Sequence, residues 1–438
     1  MSAIAGVLRD LGHVVSGSDL VLSSMSQSLE SLGVKVFVGH RPENIADADF
    51  VIASSAIGKD NPEIVAAVDR AIPVINRASI LEYITKLRST ICVAGTHGKT
   101  TTSSILALAL EASGMNPSFI IGGYTDQFGS NYRWTNGQWL VVEADESDGT
   151  FLSLDRCLAI ITNLEADHLD FFGSIEALQH SFVEFITNTR GPIIYCADDE
   201  NLRTLIARQP STVQAISYGT APTSDFQAYD IRSTRDSVSF CIRDPSSDKY
   251  ELVLSVPGKH VAMNATAAFG AATVLGGDPA RIIGALSDFT GAKRRYEYKG
   301  QYNGVTFIDD YAHYPTEIRS TLETVGYGKW AKVHCVFQPH RFSRISQVKD
   351  ELVDCFVNID ELYITEIYSA GEPPLPGVSA ERLARQIESA NSNFVTHYCP
   401  DQTKLFALLR SNMKPNELCI VLSAGDLVDI GRKVFTNQ

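Results

Sequence analysis

The 438-residue sequence is that of a folded protein with more than one domain. Apolar residues make up 44% of it and charged residues 20%, an ordinary balance that excludes wholesale disorder. The net charge of −14 argues against general nucleic-acid binding. An anionic ligand must therefore be met by local positive features.

The sequence also predicts a cytoplasmic protein that does not bind membranes. No apolar run reaches membrane-spanning length, and the N-terminus lacks the basic start and apolar stretch of a signal peptide. The eight cysteines are scattered singly, with neither metal-ligand nor disulfide spacing. They indicate buried thiols in a reducing compartment.

Residues 1–88 alternate helical and strand patterns and predict a small α/β domain. A helical pattern over residues 3–11 precedes four expected parallel strands, at 14–16, 34–37, 50–53 and 74–75. A doubly wound sheet normally begins with a strand and a glycine-rich turn. Because this chain opens on a helix, we expect a Rossmann-like domain truncated at its first strand and turn.

Residues 89–290 predict a central α/β domain with an antiparallel annex. Strand patterns occur at 90–93, 118–121, 139–143, 158–162 and 193–196, and the annex is expected at 226–231, 237–242 and 252–256. A helix of small residues is predicted over 262–275.

The central domain begins with a phosphate-binding pattern. Residues 93–101 read V-A-G-T-H-G-K-T-T between the strand at 90–93 and a helical stretch at 102–111. Backbone N–H groups and the helix dipole would face phosphates, Lys99 would add a positive charge, and the Thr100 hydroxyl could ligate Mg²⁺. A Gly-Lys-Thr triplet alone would also suit an ordinary turn, but the flanking strand and helix favour a nucleotide site.

Two later strands of this domain end in acidic residues. Residues 139–148 read W-L-V-V-E-A-D-E-S-D, which places Glu143 at a carboxyl end, where ligands of open α/β sheets bind. We expect it to hold Mg²⁺, which prefers oxygen ligands. His168 lies in L-E-A-D-H-L-D after the strand at 158–162. It is either a structural hydrogen-bonding residue or part of a second metal or phosphate site.

Residues 291–438 predict a third α/β domain, Rossmann-like, with strands at 305–309, 333–337, 362–365, 394–398 and 418–422. Polar motifs follow four of these strands, which favours one shared crevice over four unrelated loops. One of them, Q-P-H-R-F-S-R, supplies Arg341 and Arg344, three residues apart. Two guanidinium groups suit a carboxylate or phosphate because each can bind it bidentately.

Taken together, these motifs resemble the Mur ligase family. The resemblance rests on G-T-H-G-K-T-T at 95–101, E-A-D-E-S-D at 143–148, T-N-L-E-A-D-H at 162–168, R-R-Y at 294–296, D-D-Y-A-H at 309–313, F-Q-P-H-R-F-S-R at 337–344 and Y-S-A-G-E at 368–372. It spans nearly the whole chain. It implies three α/β domains: a UDP-sugar domain at 1–88, an ATP-binding ligase domain at 89–290 and an amino-acid and nucleotide domain at 291–438.

The resemblance also implies a reaction. The carboxylate of UDP-N-acetylmuramate would attack ATP to give an acyl phosphate, which the amine of L-alanine would then attack, with Mg²⁺ present. These small molecules would be the partners of a cytoplasmic monomer or weak homodimer that makes peptidoglycan precursors. Charge neutralisation and positioning do most of the work in phosphoryl transfer.

Residue roles follow from the same resemblance. The catalytic set would be Lys99, Glu143 and His168, and the metal ligands Thr100, Glu143 and His168. The nucleotide would be bound by Gly95, Thr96, His97, Gly98, Lys99, Thr100, Thr101, Asn264, Arg295 and Asp310. The other substrates would contact Asp19, His40, Ser54, Ser55, His97, Gly122, Gly123, Ser147, Tyr311, His313, Arg341 and Arg344.

The chain departs from the family pattern in three places. Met1 and Ser2 align just after the expected strand and G-x-x-G-x-G turn. The adenine-side motif H-N-x-x-N has Val261 in place of its first asparagine, and the paired histidines before proline are His313 and Tyr314. The first departure affects the expected binding of the UDP-sugar. The second removes one expected contact to the adenine or the ribose.

Three alternatives therefore stay open: a ligase for recycled murein tripeptide, a nucleotide-binding protein inactive because of the truncated N-terminus, and, least favoured, a dinucleotide dehydrogenase.

Overall fold

The computed structural model describes residues 1–125 and 127–435 and shows an α/β protein. The chain divides into two compact units. The first comprises residues 1–228, 243–249 and 264–286, and the second comprises residues 229–242, 250–263 and the chain from 287 on. Among the described residues, no helix has both the length and the apolar character needed to cross a membrane.

The N-terminal part of the first unit contains two separate two-stranded sheets. Strand β1 pairs in parallel with β2, and β3 pairs in parallel with β4. The first strand begins at Ser16, two residues later than predicted, and Val14 is fully exposed. The elements are α1 (Ser2–Asp10), β1 (Ser16–Asp19), α2 (Ser24–Ser31), β2 (Lys35–Val38), a 3-10 helix (Pro42–Ile45), β3 (Val51–Ala53), α3 (Pro62–Asp69), β4 (Val74–Asn76) and α4 (Arg77–Lys86).

The middle of the chain alternates strands and helices. Its elements are β5 (Ser89–Ala94), α5 (Lys99–Ala112), β6 (Ser118–Thr125), β7 (Ser130–Arg133), β8 (Trp139–Glu143), a 3-10 helix (Thr150–Ser153), β9 (Leu158–Ile161), α6 (Leu169–Phe172), α7 (Ile175–Thr187), β10 (Ile193–Cys196), α8 (Glu200–Ala207), β11 (Ala215–Gly219), β12 (Phe226–Ser233), β13 (Val238–Arg243), β14 (Lys249–Leu254), α9 (Lys259–Val274) and α10 (Pro279–Leu286).

Within the first unit, seven of these strands form a sheet in the order β11-β10-β9-β5-β8-β6-β7. Strand β5 pairs in parallel with β8 and β9, and its residues after Ser89 are all buried. Such central parallel strands are continuous apolar runs because both faces are covered. The turn after β5 and the acidic residues after β8 therefore emerge at the same edge.

The last part of the second unit is a six-stranded sheet in the order β15-β16-β20-β17-β18-β19. Apart from β15, which is antiparallel to β16, its strands run parallel. Its elements are β15 (Glu297–Tyr302), β16 (Val305–Asp310), α11 (Pro315–Val325), β17 (Val333–Gln338), α12 (Phe342–Val353), β18 (Glu361–Thr365), α13 (Ala380–Ala390), β19 (Val395–Cys399), α14 (Gln402–Asn412), β20 (Leu418–Ser423) and α15 (Ile430–Phe435).

The four polar motifs predicted to share a crevice follow β16, β17, β18 and β20, which are neighbours in this sheet. Because these strands are parallel, their carboxyl ends lie at one edge and the motifs come together as expected. The predicted α/β class is confirmed, whereas the boundaries at 88/89 and 290/291 stay a prediction.

Candidate active site

The turn after β5 is shaped by two glycines with positive φ. Gly95 has φ +123° and Gly98 has φ +80°, and Gly98 is the N-cap of α5. A Cβ at Gly95 would lie only 2.2 Å from Thr162 Oγ1. Both the conformation and the close approach require glycine. The predicted loop therefore places the start of α5 against the end of β9.

Asn163, two residues after the end of β9, is hydrogen-bonded to this loop. The backbone N–H of His97 donates to Asn163 Oδ1 at 2.8 Å, and Asn163 Nδ2 donates to the His97 carbonyl at 3.1 Å. Thr96 Oγ1 accepts from the N–H of Glu165 at 2.9 Å, and Asn264 Oδ1 would be 2.7 Å from a Cβ on Gly98. Asn264 thus lies beside the loop, and its nucleotide role stays a prediction.

Lys99 lies at the first position of α5 and is bonded to Glu146. Its Nζ donates to Glu146 Oε1 and Oε2 at 3.0 and 2.8 Å, and to the carbonyls of Gly95 and Thr96 at 2.6 and 3.0 Å. The Glu146 side chain is 2% exposed. Its burial raises its pKa to about 7, although the Lys99 charge opposes that rise.

Thr100 and Glu143, two predicted metal ligands, are in contact. The Thr100 hydroxyl donates to Glu143 Oε1 at 2.9 Å, and the Gly122 N–H donates to Glu143 Oε2 at 2.7 Å. A Cβ on Gly123 would be 2.7 Å from Thr100 Cγ2, so this glycine pair lies against the two ligands. Thr101, the next residue of α5, is half-buried. A hydroxyl and a carboxylate at the phosphate loop fit Mg²⁺, which takes its other ligands from water and phosphate.

His168, the third predicted ligand, lies against other acids. Its Nε2 is 3.5 Å from Asp167 Oδ2 and 3.9 Å from Glu146 Oε1. Ser147, from the same acidic run as Glu146, donates its N–H to Asp145 Oδ1 at 3.1 Å. Within residues 1–125 and 127–435, no group of three or more His, Cys, Asp and Glu side chains is arranged to hold a metal.

The predicted UDP-binding residues lie at the carboxyl ends of the short N-terminal strands. Asp19 ends β1, His40 follows β2, and Ser54 and Ser55 follow β3. Asp19 and the serine pair thus belong to different two-stranded sheets. His40 Nδ1 is 3.0 Å from the Ser18 hydroxyl, which donates to Glu63 Oε2 at 2.7 Å. Because Ser18 gives its proton to the carboxylate, His40 Nδ1 is the donor in this pair.

In the second unit, the Asp310 carboxylate is hydrogen-bonded to nearby backbone. It accepts the N–H groups of Tyr296 and Ala312, both at 2.7 Å, and burial raises its pKa to about 6. Arg295 lies 3.7 Å from Glu317 Oε1, and its guanidinium carbon is 5.0 Å from the Tyr311 ring centroid. Both predicted nucleotide residues therefore lie beside the motif after β16.

His313 continues this motif. Its Nδ1 is 2.9 Å from the Tyr311 carbonyl and 3.2 Å from Glu317 Oε2. Its ring centroid lies 5.6 Å from those of Tyr311 and His340. His340 belongs to the motif after β17, so these aromatic groups join two of the four motifs.

The arginine pair differs in environment. Arg341 has φ +65°, is the N-cap of α12 and lies 3.5 Å from Glu372 Oε1. Arg344 is buried and donates from Nη1 to His340 Nδ1 at 3.0 Å. Glu372 also accepts the Ser343 hydroxyl at 2.7 Å. The two guanidinium groups lie at the same sheet edge but have different partners.

Comparison with known proteins identifies the family. The model of the Mur ligase middle domain matches residues 93–272, that of the Mur ligase family catalytic domain matches residues 1–88, and that of the Mur ligase glutamate ligase domain matches residues 294–425. Together they cover most of the chain. The chain belongs to the Mur ligase family. It is thus an enzyme of a family of ATP-dependent ligases.

Two named UDP-N-acetylmuramate–L-alanine ligases are similar over almost the full length. That of Geobacter sp. (strain M21) is 42% identical over 99% of this chain and 94% of its own, and that of Geobacter sulfurreducens is 41% identical over 98% and 94%. The solved UDP-N-acetylmuramate–alanine ligase of Thermotoga maritima superposes with a TM-score of 0.83, at 28% identity, over 99% of this chain and 95% of its own. A murein peptide ligase from Psychrobacter arcticus gives 0.73, at 26% identity, over 100% and 96%.

Sequence reasoning missed the residues that hold the predicted ones in place. Glu146 lies within the acidic run and Glu372 within Y-S-A-G-E, but the sequence predicts no partner for either. Asn163 lies in T-N-L-E-A-D-H, and the sequence predicts no role for it. Position after a strand could have marked all three as candidates, but not which cation or N–H each would meet.

Proposed function

We propose that this Mur ligase joins L-alanine to the carboxylate of UDP-N-acetylmuramate, with cleavage of ATP to ADP and phosphate, in peptidoglycan precursor synthesis. The observation that carries the proposal is the phosphate loop at 95–101, with Lys99 and Thr100 at the start of α5 and Glu143 beside them. The naming of relatives at about 40% identity supports the choice of substrates.

The first step is phosphoryl transfer. A carboxylate oxygen of UDP-N-acetylmuramate attacks the γ-phosphorus, the bond from that phosphorus to the β,γ-bridging oxygen breaks, and ADP leaves with the electron pair. Lys99 and the N-terminus of α5 stabilise the negative charge of the phosphates. We propose that Thr100, Glu143 and His168 hold Mg²⁺, which would supply charge neutralisation.

The second step is acyl transfer. The neutral amine of L-alanine attacks the acyl carbon to give a tetrahedral intermediate. Its carbon–oxygen bond to phosphate then breaks, and the phosphate leaves with the electron pair and takes up the proton that the amine loses. We assign the alanine carboxylate to Arg341 and Arg344, because guanidinium groups bind carboxylates in a planar, bidentate manner. Tyr311 and His313 would line the same edge of the sheet. Arg295 and Asp310 would serve the nucleotide.

The remaining substrate contacts are assigned to the first unit. Asp19, His40, Ser54 and Ser55 would hold the UDP group, while His97, Gly122, Gly123 and Ser147 would face the muramyl group. We further propose three domains, at 1–88, 89–290 and 291–438, in a cytoplasmic monomer or weak homodimer that needs no nucleic acid or membrane.

Phosphate release in a substrate-omission assay tests this function. With ATP, Mg²⁺, UDP-N-acetylmuramate and L-alanine, the purified protein should release phosphate only when both acceptors are present. The murein tripeptide in place of alanine should give no product. Phosphate release that is indifferent to both acceptors, or product with tripeptide alone, would contradict the proposal.

A further inference from the structure

Lys99 is held by three protein acceptors at once. Its Nζ donates to the Gly95 carbonyl, the Thr96 carbonyl and the Glu146 carboxylate, all within 3.0 Å. An ammonium group has three protons, so these three partners use its hydrogen-bonding capacity. A phosphate oxygen can therefore bind Lys99 closely only by replacing one of them.

The two carbonyls cannot easily break their hydrogen bonds to Lys99. They belong to the loop backbone, and the Thr96 N–H donates to the Asn163 carbonyl at 3.2 Å, which ties the loop to β9. Gly95 packs so closely on Thr162 that a Cβ there would be 2.2 Å from its hydroxyl. Moving either carbonyl would deform the phosphate loop itself.

Glu146 is the partner that can move. Its carboxylate ends a flexible side chain on the segment after β8, and it carries the same sign of charge as a phosphate. It lies outside the loop backbone, so its movement would leave the phosphate loop intact.

We propose that Glu146 is a positioning residue that holds Lys99 toward the phosphate loop and gives it up to the terminal phosphate of the bound nucleotide. This inference rests on the proposed function, since it takes a nucleoside triphosphate as the ligand. The exchange makes Glu146 a competitor of the phosphate, so triphosphate affinity is set below what the loop could otherwise reach.

The Glu146→Gln variant tests this exchange. It keeps the size of the side chain and removes its charge, so the bond to Lys99 becomes weaker than a charge-assisted one. ATP binding, measured by calorimetry without the two acceptors, should tighten about tenfold, while ADP binding should change much less. In turnover, the KM for ATP should fall while kcat does not rise, because the gain is in ground-state binding.

Asp148→Asn is the matched control. Asp148 belongs to the same acidic run but lies 3.8 Å from Arg77 Nη1, and the structure shows no bond from its carboxylate to Lys99. Loss of one negative charge nearby should leave ATP affinity within about twofold of wild type. If both variants tighten ATP binding equally, a general field effect replaces the exchange and the proposal is wrong.

The remaining outcomes also test the proposed role of Glu146. Unchanged or weaker ATP binding by Glu146→Gln, with wild-type thermal stability, would show that Glu146 only supports the loop. If that variant does not fold, Glu146→Asp serves instead, because a shortened carboxylate withdraws from Lys99 and should also tighten ATP binding. A wild-type protein that binds ATP but lacks ligase activity would refute the proposed function and leave this inference intact.

Discussion

The Thr100 hydroxyl donates a hydrogen bond to Glu143 Oε1 at 2.9 Å, although 43 residues separate the two in the sequence. The contact joins the first turn of α5 to the end of β8. It places a hydroxyl and a carboxylate oxygen where a cation could bind both, beside the phosphate loop.

Substituting Thr100 tests this pair. Thr100→Val keeps the shape of the side chain and removes the hydroxyl, so we expect the Mg²⁺ concentration for half-maximal activity to rise at least tenfold. Thr100→Ser keeps the hydroxyl and should stay near wild type. A magnesium titration of activity measures both variants. An equal response from the two would show that the Thr100 hydroxyl is not a metal ligand.

Removing Lys99 should abolish turnover. In Lys99→Ala the side chain no longer neutralises the negative charge of the γ-phosphate. We therefore expect kcat to fall by several orders of magnitude. Single-turnover phosphate release measures the chemical step directly. A kcat within tenfold of wild type would refute the role assigned to Lys99.

The phosphate loop should not accept a side chain at Gly95. In Gly95→Ala the new Cβ would lie 2.2 Å from Thr162 Oγ1 and 2.9 Å from the Thr162 backbone nitrogen, so we expect loss of ATP binding. Gly114→Ala is the control, since Gly114 has φ +76° but nothing within 4 Å of its Cβ. If the two variants bind ATP equally well, the close approach at Gly95 does not matter for nucleotide binding.

Arg344 should act on the amino acid rather than on ATP. We expect Arg344→Ala to raise the KM for L-alanine at least tenfold and to leave the KM for ATP close to its wild-type value. Arg382→Ala offers a comparison, because Arg382 is exposed and donates to the Gly377 carbonyl. An unchanged KM for alanine in Arg344→Ala would show that Arg344 does not bind this substrate.

Asp309 should make the C-terminal sheet less stable as pH rises. Burial raises its pKa from 3.8 to about 7, which Lys299 only partly opposes. Between these values the folded protein binds a proton that the unfolded chain has lost. The stabilisation is therefore complete below about pH 4 and is lost as pH rises toward 7.

Hydrogen exchange of the β16 amides measures this effect in the sheet itself. From pH 4.5 to 7 the wild type should lose a few kcal/mol of local stability more than Asp309→Asn, which cannot ionise. Parallel pH profiles for the two proteins would show that Asp309 is not the titrating group.

Local patterns sufficed for most of the fold. The predicted strand at 139–143 and that at 193–196 match β8 and β10, and the phosphate loop lies where its glycines place it. Strand β7 (Ser130–Arg133) and strand β15 (Glu297–Tyr302) were not predicted, because their residues lack the apolar runs or regular alternation that mark a strand. The two valines at 14 and 15 predict the first strand at 14–16, but Val14 is fully exposed.

What the sequence determined by itself was the chemistry available at each strand end: a lysine, a threonine, carboxylates and arginines in positions typical of a Mur ligase. What only the tertiary structure decided was how those groups are paired. Lys99 is hydrogen-bonded to Glu146, 47 residues away, rather than to another acid of the same run. The Asp310 carboxylate accepts hydrogen bonds from two backbone N–H groups. Sequence patterns report backbone conformation over a few residues, whereas the partner of a buried charge depends on which strands become neighbours and which polar groups the packing leaves to be satisfied.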